Sequence, residues 1–314
     1  MDIDFGRLKD WNGLTFHVTG TWQFGSNLGA DIGTLANPSG LVSAHTTRLD
    51  SFWVQQAFFR NRVFVRVGQF GGQFGGLDFF GNQDYGPSYV IEPIDYALGN
   101  LFSTTHQSFD ESFDPAATPA ALIEVVPCRT LYVKSAVLAG NRNPYKQDPN
   151  GLHFAIRDTP VFVNEIGFTR DTEDLSELRT QSDRKRYPGT YKFGAAYNGG
   201  KFADAAGTER SGKYLVYGMA NQALFRSEAG SSRGLDATLA FDWSPSNVNR
   251  ENSQITAGVR YNGAIPRRPR DTIAFGFVHT KIGDPFRSID IPLRAPMLGS
   301  EKAIELNYAP RLQR

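Results

Sequence analysis

The residues able to do bond chemistry in this 314-residue chain are not arranged for it. Asp110, Glu111 and Asp114 sit close together, and paired carboxylates at a defined separation are what glycosidic hydrolysis requires. Among 32 Asp and Glu such a cluster arises readily, so a glycoside hydrolase is a minor alternative. His17, His45, His106, His153 and His279 are scattered, with no His-Glu-x-x-His or comparable spacing, and no metal site is indicated. Gly71-Gly72-Gln73-Phe74-Gly75-Gly76 lacks the Lys-Ser/Thr ending of a phosphate loop and reads as a sharp bend. The single cysteine, Cys128, allows no internal disulfide and reads as a small buried hydrophobe. No cofactor is implied and no enzyme is expected.

A different chemistry recurs at every other position of several apolar runs. Thr15, His17 and Thr19 alternate with Leu14, Phe16 and Val18; Asp236 and Asp242 share a run with Leu235, Ala237, Leu239, Phe241 and Trp243. Arg260 and Asn262 alternate with Ile255, Ala257, Val259 and Tyr261. Arg66 stands among Val63, Val65 and Val67, and Tyr132 and Lys134 among Leu131, Val133 and Val137. On this spacing these polar residues face water. Guanidinium forks and carboxylates so placed donate to or accept from hydroxyl groups without any bond being broken.

The elements that must position them are β-strands, because only a period of two sorts side chains in this way. The run 14–24 is apolar on one side and polar on the other, and a strand of about 11 residues spans a bilayer when tilted. Two architectures share the pattern. A transmembrane barrel turns its apolar residues to lipid and its polar ones to the lumen, with aromatic girdles at the interfaces; a soluble sandwich or barrel packs its apolar face inward. Which side of the sheet is apolar discriminates them.

Composition narrows the field. Lys and Arg number 33 against 32 Asp and Glu, so there is no basic footprint for nucleic acid. Thirty-two glycines and 13% aromatics suit many strands and turns. No stretch approaches the roughly 18 consecutive apolar residues of a membrane helix. The mean hydropathy of -0.36 is no objection to a barrel, whose strands are each half polar. The first residues, Met1-Asp2-Ile3-Asp4-Phe5-Gly6-Arg7-Leu8-Lys9, lack the basic start and apolar core of a secretory signal.

Along the chain, strands are expected at 1–8 (weakly), 14–24, 48–59, 63–70, 121–126, 131–139, 161–169, 189–197, 214–226, 234–243, 254–262, 272–281 and 303–308, with no helix of convincing length between them. That is about 13 strands, where bacterial single-chain barrels have even numbers. The irregular segment 71–119 is too rich in aromatics for disorder and reads as an ordered loop packed on the inner wall.

Several segments together resemble the carbohydrate-selective outer-membrane porin family of OprB type. They are Ala30-Asp31-Ile32-Gly33-Thr34-Leu35-Ala36-Asn37-Pro38-Ser39-Gly40, Phe64-Val65-Arg66-Val67-Gly68-Gln69-Phe70 and Ala97-Leu98-Gly99-Asn100-Leu101-Phe102. Tyr132-Val133-Lys134-Ser135-Ala136-Val137, Gly234-Leu235-Asp236 and Gln254-Ile255-Thr256-Ala257-Gly258-Val259-Arg260-Tyr261-Asn262-Gly263 complete the set, in order over nearly the whole chain.

The resemblance implies an all-β, antiparallel, 16-stranded transmembrane barrel in the Gram-negative outer membrane, passing small carbohydrates such as glucose by diffusion. The whole of 1–314 is then one porin domain, with outer-membrane lipid outside and a homotrimer among the assemblies allowed. Family members carry a signal and further strands before the region like 1–24, and closing strands after the region like 301–308. This chain is therefore expected to be an internal fragment or a truncated product. Arg66, Lys134, Tyr132, Asp236, Asp242, Arg260, Asn262 and His17 become expected pore-lining sugar contacts. The loop 71–119 is the candidate constriction, folded inward with Phe79, Phe80, Asp84 and Tyr85 facing the passage; its rival reading is an extracellular loop covering the mouth. The alternative of another class is a soluble carbohydrate-binding β domain.

Overall fold

The computed structural model describes residues 2–4, 11–24, 45–70, 117–140, 148–156, 159–170, 188–228, 231–287 and 299–310. They form a single sheet of 13 antiparallel strands in which spatial order is sequence order. The strands are β1 (Asp2–Asp4), β2 (Leu14–Gln23), β3 (Thr46–Phe58), β4 (Val63–Phe70), β5 (Thr118–Cys128), β6 (Leu131–Leu138) and β7 (Val161–Arg170). They continue as β8 (Gly189–Ala203), β9 (Glu209–Arg226), β10 (Gly234–Trp243), β11 (Glu251–Asn262), β12 (Thr272–Ile282) and β13 (Ser300–Ala309), with one helical turn, α1 (Asp284–Arg287), between the last two. Every strand pairs with the next along the chain, and the order begins at β1 and ends at β13. Links after even-numbered strands emerge at one end, here the loop end, and links after odd-numbered strands at the other, the turn end. The links 59–62 and 129–130 are tight turns, whereas 24–45 and 71–117 are long; 171–188 is a long link at the turn end.

The two faces of this sheet are opposite in character to those of a soluble barrel. Trp22, Phe193, Leu239, Ile304 and Leu306 are 53–77% exposed. His17, Arg66, Lys134, Glu165, Asp236 and Asp242, one step out of phase with the apolar residues of their strands, are all no more than 6% exposed. Side chains crowd on the concave side of a curled sheet and splay on the convex side, so the polar face is the inner one. An apolar exterior around a polar interior is the wall of a transmembrane barrel. It runs against the soluble-domain alternative.

Every expected strand is present, most of them with shifted ends. Of the weak strand at 1–8, the described residues are Asp2–Asp4, and they form β1. Strand β5 begins at Thr118, so the irregular segment stops at Ala117 rather than 119. Its remainder, 71–116, lies outside the described residues. The β8–β9 hairpin runs well beyond the expected 197 and 214, through a register shift between Asn198 and Lys201. These added residues are polar and glycine-rich, so alternation does not reveal them. The turn is closed by Asp204, whose Oδ1 accepts the N–H groups of Thr208 (2.8 Å) and Ala206 (3.0 Å) and whose Oδ2 accepts from Arg210 Nε (3.0 Å). These contacts, led by the Thr208 N–H, hold its carboxyl below the usual range. Cys128 is exposed, contrary to expectation, because β5 carries it into the tight turn toward β6.

Two further features escape the alternation rule. Thr19 pairs with Ser51 and Gly20 with Leu49, which leaves Asp50 as a bulge. Asp50 and Ser51, neighbours in sequence, are consequently both buried. The inner face is also not uniformly polar: Ala120, Leu122, Ala136, Leu138, Val161, Val163, Ala196 and Leu215 form an apolar cluster with Trp53 and Phe70.

The face assignment is tested within one strand. Leu239→Arg should destabilise vesicle-inserted protein by about 2–4 kcal/mol, the cost of a cation at the bilayer midplane. Thr238→Arg, facing inward, should cost clearly less. Equal losses in urea titrations would overturn the assignment.

Candidate functional site

Three groups of side chains stand on the inner face. The first spans β2, β3 and β4. His17 and Trp53 are register partners, and their rings stack at 4.8 Å with planes 10° apart. The Arg66 guanidinium carbon lies 4.1 Å from the centre of the Trp53 ring, and 5.9 Å from that of Phe70. Arg66 is held there by its own register partner, Gln55, whose Oε1 accepts from Nε at 3.0 Å and from a terminal nitrogen at 2.8 Å. His17 Nε2 is in turn 2.7 Å from Thr19 Oγ1. The result is a ring, a cation and an imidazole layered on the inner wall, an arrangement with an apolar face and directional N–H donors.

The second group spans β5 to β9. Glu165 accepts the Tyr132 hydroxyl on Oε1 and the Tyr217 hydroxyl on Oε2, both at 2.7 Å. Each tyrosine ring lies over a glycine directly across the ladder: a Cβ on Gly167 would sit 2.2 Å from the Tyr132 ring, and one on Gly194 2.2 Å from that of Tyr217. Lys134 Nζ is 4.6 Å from the centre of the Tyr132 ring and 3.9 Å from the Glu124 carboxylate.

The third group crosses β9, β10 and β11. Asp236 takes an Arg226 terminal nitrogen on Oδ1 and the Arg260 terminal nitrogen on Oδ2, the latter at 2.9 Å. One carboxylate thus ties together guanidinium groups from the strands on either side of it. Asn262 stands beside this group and accepts from the Thr272 hydroxyl at 2.8 Å.

The structure thus brings His17 near Arg66 through Trp53, Tyr132 near Lys134, and Asp236 onto Arg260. Asp242 stands apart, toward the loop end of β10. Phe79, Phe80, Asp84 and Tyr85 lie outside the described residues. Sequence reasoning missed Gln55, Trp53, Glu165, Tyr217 and Arg226. Glu165 shares a face with Val163 and Gly167 and alternates with the outward Phe162, Ile166 and Phe168, which could have marked it, and Arg226 closes an expected strand. Trp53 carried no such signal, since an inward aromatic looks like any other apolar residue.

The sequence matches, over residues 1–314, the family model described as carbohydrate-selective porin, OprB family. The fold is similar to the high-pH structure of Pseudomonas putida OprB, with a TM-score of 0.81 at 18% identity, covering 98% of this chain and 76% of that one. Against the low-pH structure of the same protein the TM-score is 0.50 at 15% identity, covering 98% of this chain and 72% of that one. At these identities the likeness concerns the fold. No curated protein matches the chain significantly.

The close fit of ring over glycine predicts a sensitive spot. Gly167→Ala should push the Tyr132 ring off the wall and strip one hydroxyl from Glu165, costing about 1–3 kcal/mol for a buried carboxylate left short of a donor. Tyr132→Phe, which removes the hydroxyl and keeps the ring, should cost less than Gly167→Ala in the same unfolding measurement. The reverse order would mean that the glycine is not making room for the ring.

Proposed function

The chain belongs to the carbohydrate-selective porin family, OprB, and from that premise we propose that it conducts neutral monosaccharides such as glucose across the outer membrane along its polar inner face. A porin makes and breaks no bonds; selectivity comes from width, lining polarity and electrostatic barriers. The observation that carries the reading is the layered group of His17, Trp53 and Arg66. A sugar has an apolar C–H face and a rim of hydroxyls, and this group offers an aromatic surface beside guanidinium donors already oriented by Gln55.

Charge balance supports a neutral solute. The buried charged side chains among the described residues are Arg48, Arg66, Lys134, Lys192, Lys213 and Arg226 against Asp50, Glu165, Asp236, Asp242, Glu251 and Asp271. Six against six gives the buried face of the described residues no net charge to favour ions of one sign. Lys134, Asp236, Arg260 and Asn262 are read as further lining contacts, each already engaged with a neighbour and so presenting a fixed pattern to the solute.

The segment 71–116, the part of the expected 71–119 that precedes Ala117 and β5, is proposed as the constriction element, with Phe79, Phe80, Asp84 and Tyr85 along the passage. Its support is the wall from which it departs and to which it returns. Phe70 and Ala117, on either side of it, are 0% and 2% exposed, and Phe70 joins the apolar inner cluster of β5 to β9. An apolar patch on an otherwise polar inner face is a seat for an aromatic-rich segment.

Two measurements test these points in planar bilayers. Arg66→Ala should weaken glucose block of the ion current by about 10-fold, the equivalent of one net hydrogen bond of about 1.4 kcal/mol; unchanged block would remove the layered group from the sugar path. Replacing 71–116 by a short glycine-serine linker should raise single-channel conductance. Unchanged conductance would remove that segment from the constriction.

A further inference from the structure

At the loop end, the hairpin joining β10 to β11 contains three buried oxygens with no hydrogen-bond partner: Asp242 Oδ2, Ser244 Oγ and Asn249 Oδ1. Their residues are 4%, 1% and 0% exposed. An unsatisfied buried acceptor is costly, more so when charged, and three within eight residues of sequence is not what a self-contained turn produces. The same hairpin makes its other bonds well. Ser244 N–H donates to Asn252 O at 2.8 Å, and Asn252 Nδ2 donates to Ser244 O at 2.7 Å. Asn249 Nδ2 donates to Pro245 O at 2.6 Å, which fixes the amide and leaves its oxygen directed elsewhere. Gly283 N–H donates to Arg250 O at 2.8 Å, tying the turn to the next link.

The chemistry of the unsatisfied atoms is uniform. Asp242, near the end of β10, and Ser244, just after it, are two apart in sequence and both buried, and the buried Glu251 opens β11 next to Asn252, the residue that Ser244 pairs with. Gln254, the register partner of Asp242, accepts the Thr280 hydroxyl on Oε1 at 2.9 Å and has an unpartnered Nε2 on its other side. Turning that amide over, with Thr280 accepting instead, would present a further oxygen toward β10. No three His, Cys, Asp or Glu gather among the described residues, so a soft or nitrogen-liganded metal is not indicated. Two carboxylates with neutral hydroxyl and amide oxygens are the donor set of a hard divalent cation, with water completing the shell.

We propose that the β10–β11 hairpin binds a calcium-class divalent cation through Asp242 Oδ2, Ser244 Oγ and Asn249 Oδ1, with the Glu251 carboxylate beside them. The ion would fasten the end of β10, the turn and the start of β11 to one centre. That stiffens the loop end of the pore next to the cavity of about 560 Å³ lined by Asp204, Arg210, Asn247 and Pro285.

Terbium, a luminescent stand-in for calcium, tests this on the full chain refolded in detergent, because Trp243 lies between two of the ligands and can sensitise it. Excitation of tryptophan should give saturable terbium emission, displaced by calcium and not by potassium. Asp242→Asn and Asn249→Ala should each weaken binding at least 10-fold, while Asp204→Asn, at the rim, should leave it unchanged. Ser244→Ala serves where Asp242→Asn does not refold, refolding being judged by heat-modifiable gel migration. Absence of saturable emission from the folded parent, or parental affinity in the hairpin variants, would overturn the site.

Discussion

Hydrocarbon offers no hydrogen bonds to a backbone, and everything else in this structure follows from that constraint. Each N–H and C=O that crosses the bilayer must find a partner in the protein, and a strand finds its partners only in the strands beside it. A chain that pairs each strand with the next in sequence satisfies this with the shortest links, as the unbroken order from β1 to β13 does. Pairing then fixes the side chains. With lipid on one side and water on the other, alternate residues have opposite solvents, and a slip of one residue would put Lys134 or Asp236 in lipid.

That is why so much was legible in the sequence. The strands at 63–70 and 234–243 coincide with β4 and β10 because their alternation is unbroken and both ends are marked by a change in pattern. The face of each candidate residue was equally legible: His17, Arg66, Lys134, Asp236 and Asp242 are all buried on the inner side. Alternation fails where the solvent contrast fails. The β8–β9 hairpin continues through Lys201, Glu209 and Arg210, which are exposed and have no lipid against which to alternate. A bulge is likewise invisible, since Asp50 breaks the phase of β3 by a single residue that a period-two count assigns to noise.

Partnership was the least legible level. Tyr132 and Lys134 were identifiable as inward residues, but that Tyr132 would share Glu165 with Tyr217 depends on three ladder registers across β6, β7, β8 and β9. The glycines show the same logic from the other side. Gly167 and Gly194 look like breaks in good strands; in the structure they are the places where a ring from the neighbouring strand lies against the wall. Only the register turns a weak strand residue into half of a fitted pair.

These partnerships divide the inner face into two kinds of surface. Glu165 has both oxygens occupied by phenols that are themselves pinned over glycines, so it has little left to offer a passing solute and acts as masonry. Arg66 is different. Its contacts with Gln55 fix two of its nitrogens and so hold the guanidinium over the Trp53 ring, where a cation and an aromatic surface stand side by side on the inner wall. A channel for diffusion needs both. A wall of mutually satisfied groups holds its shape without binding, while an oriented cation beside an aromatic ring gives a neutral solute enough attraction to enter and too little to stay. The balance of charge on the inner face keeps that attraction local, carried by hydrogen-bond direction and ring surface instead of by a field that would favour ions over sugars.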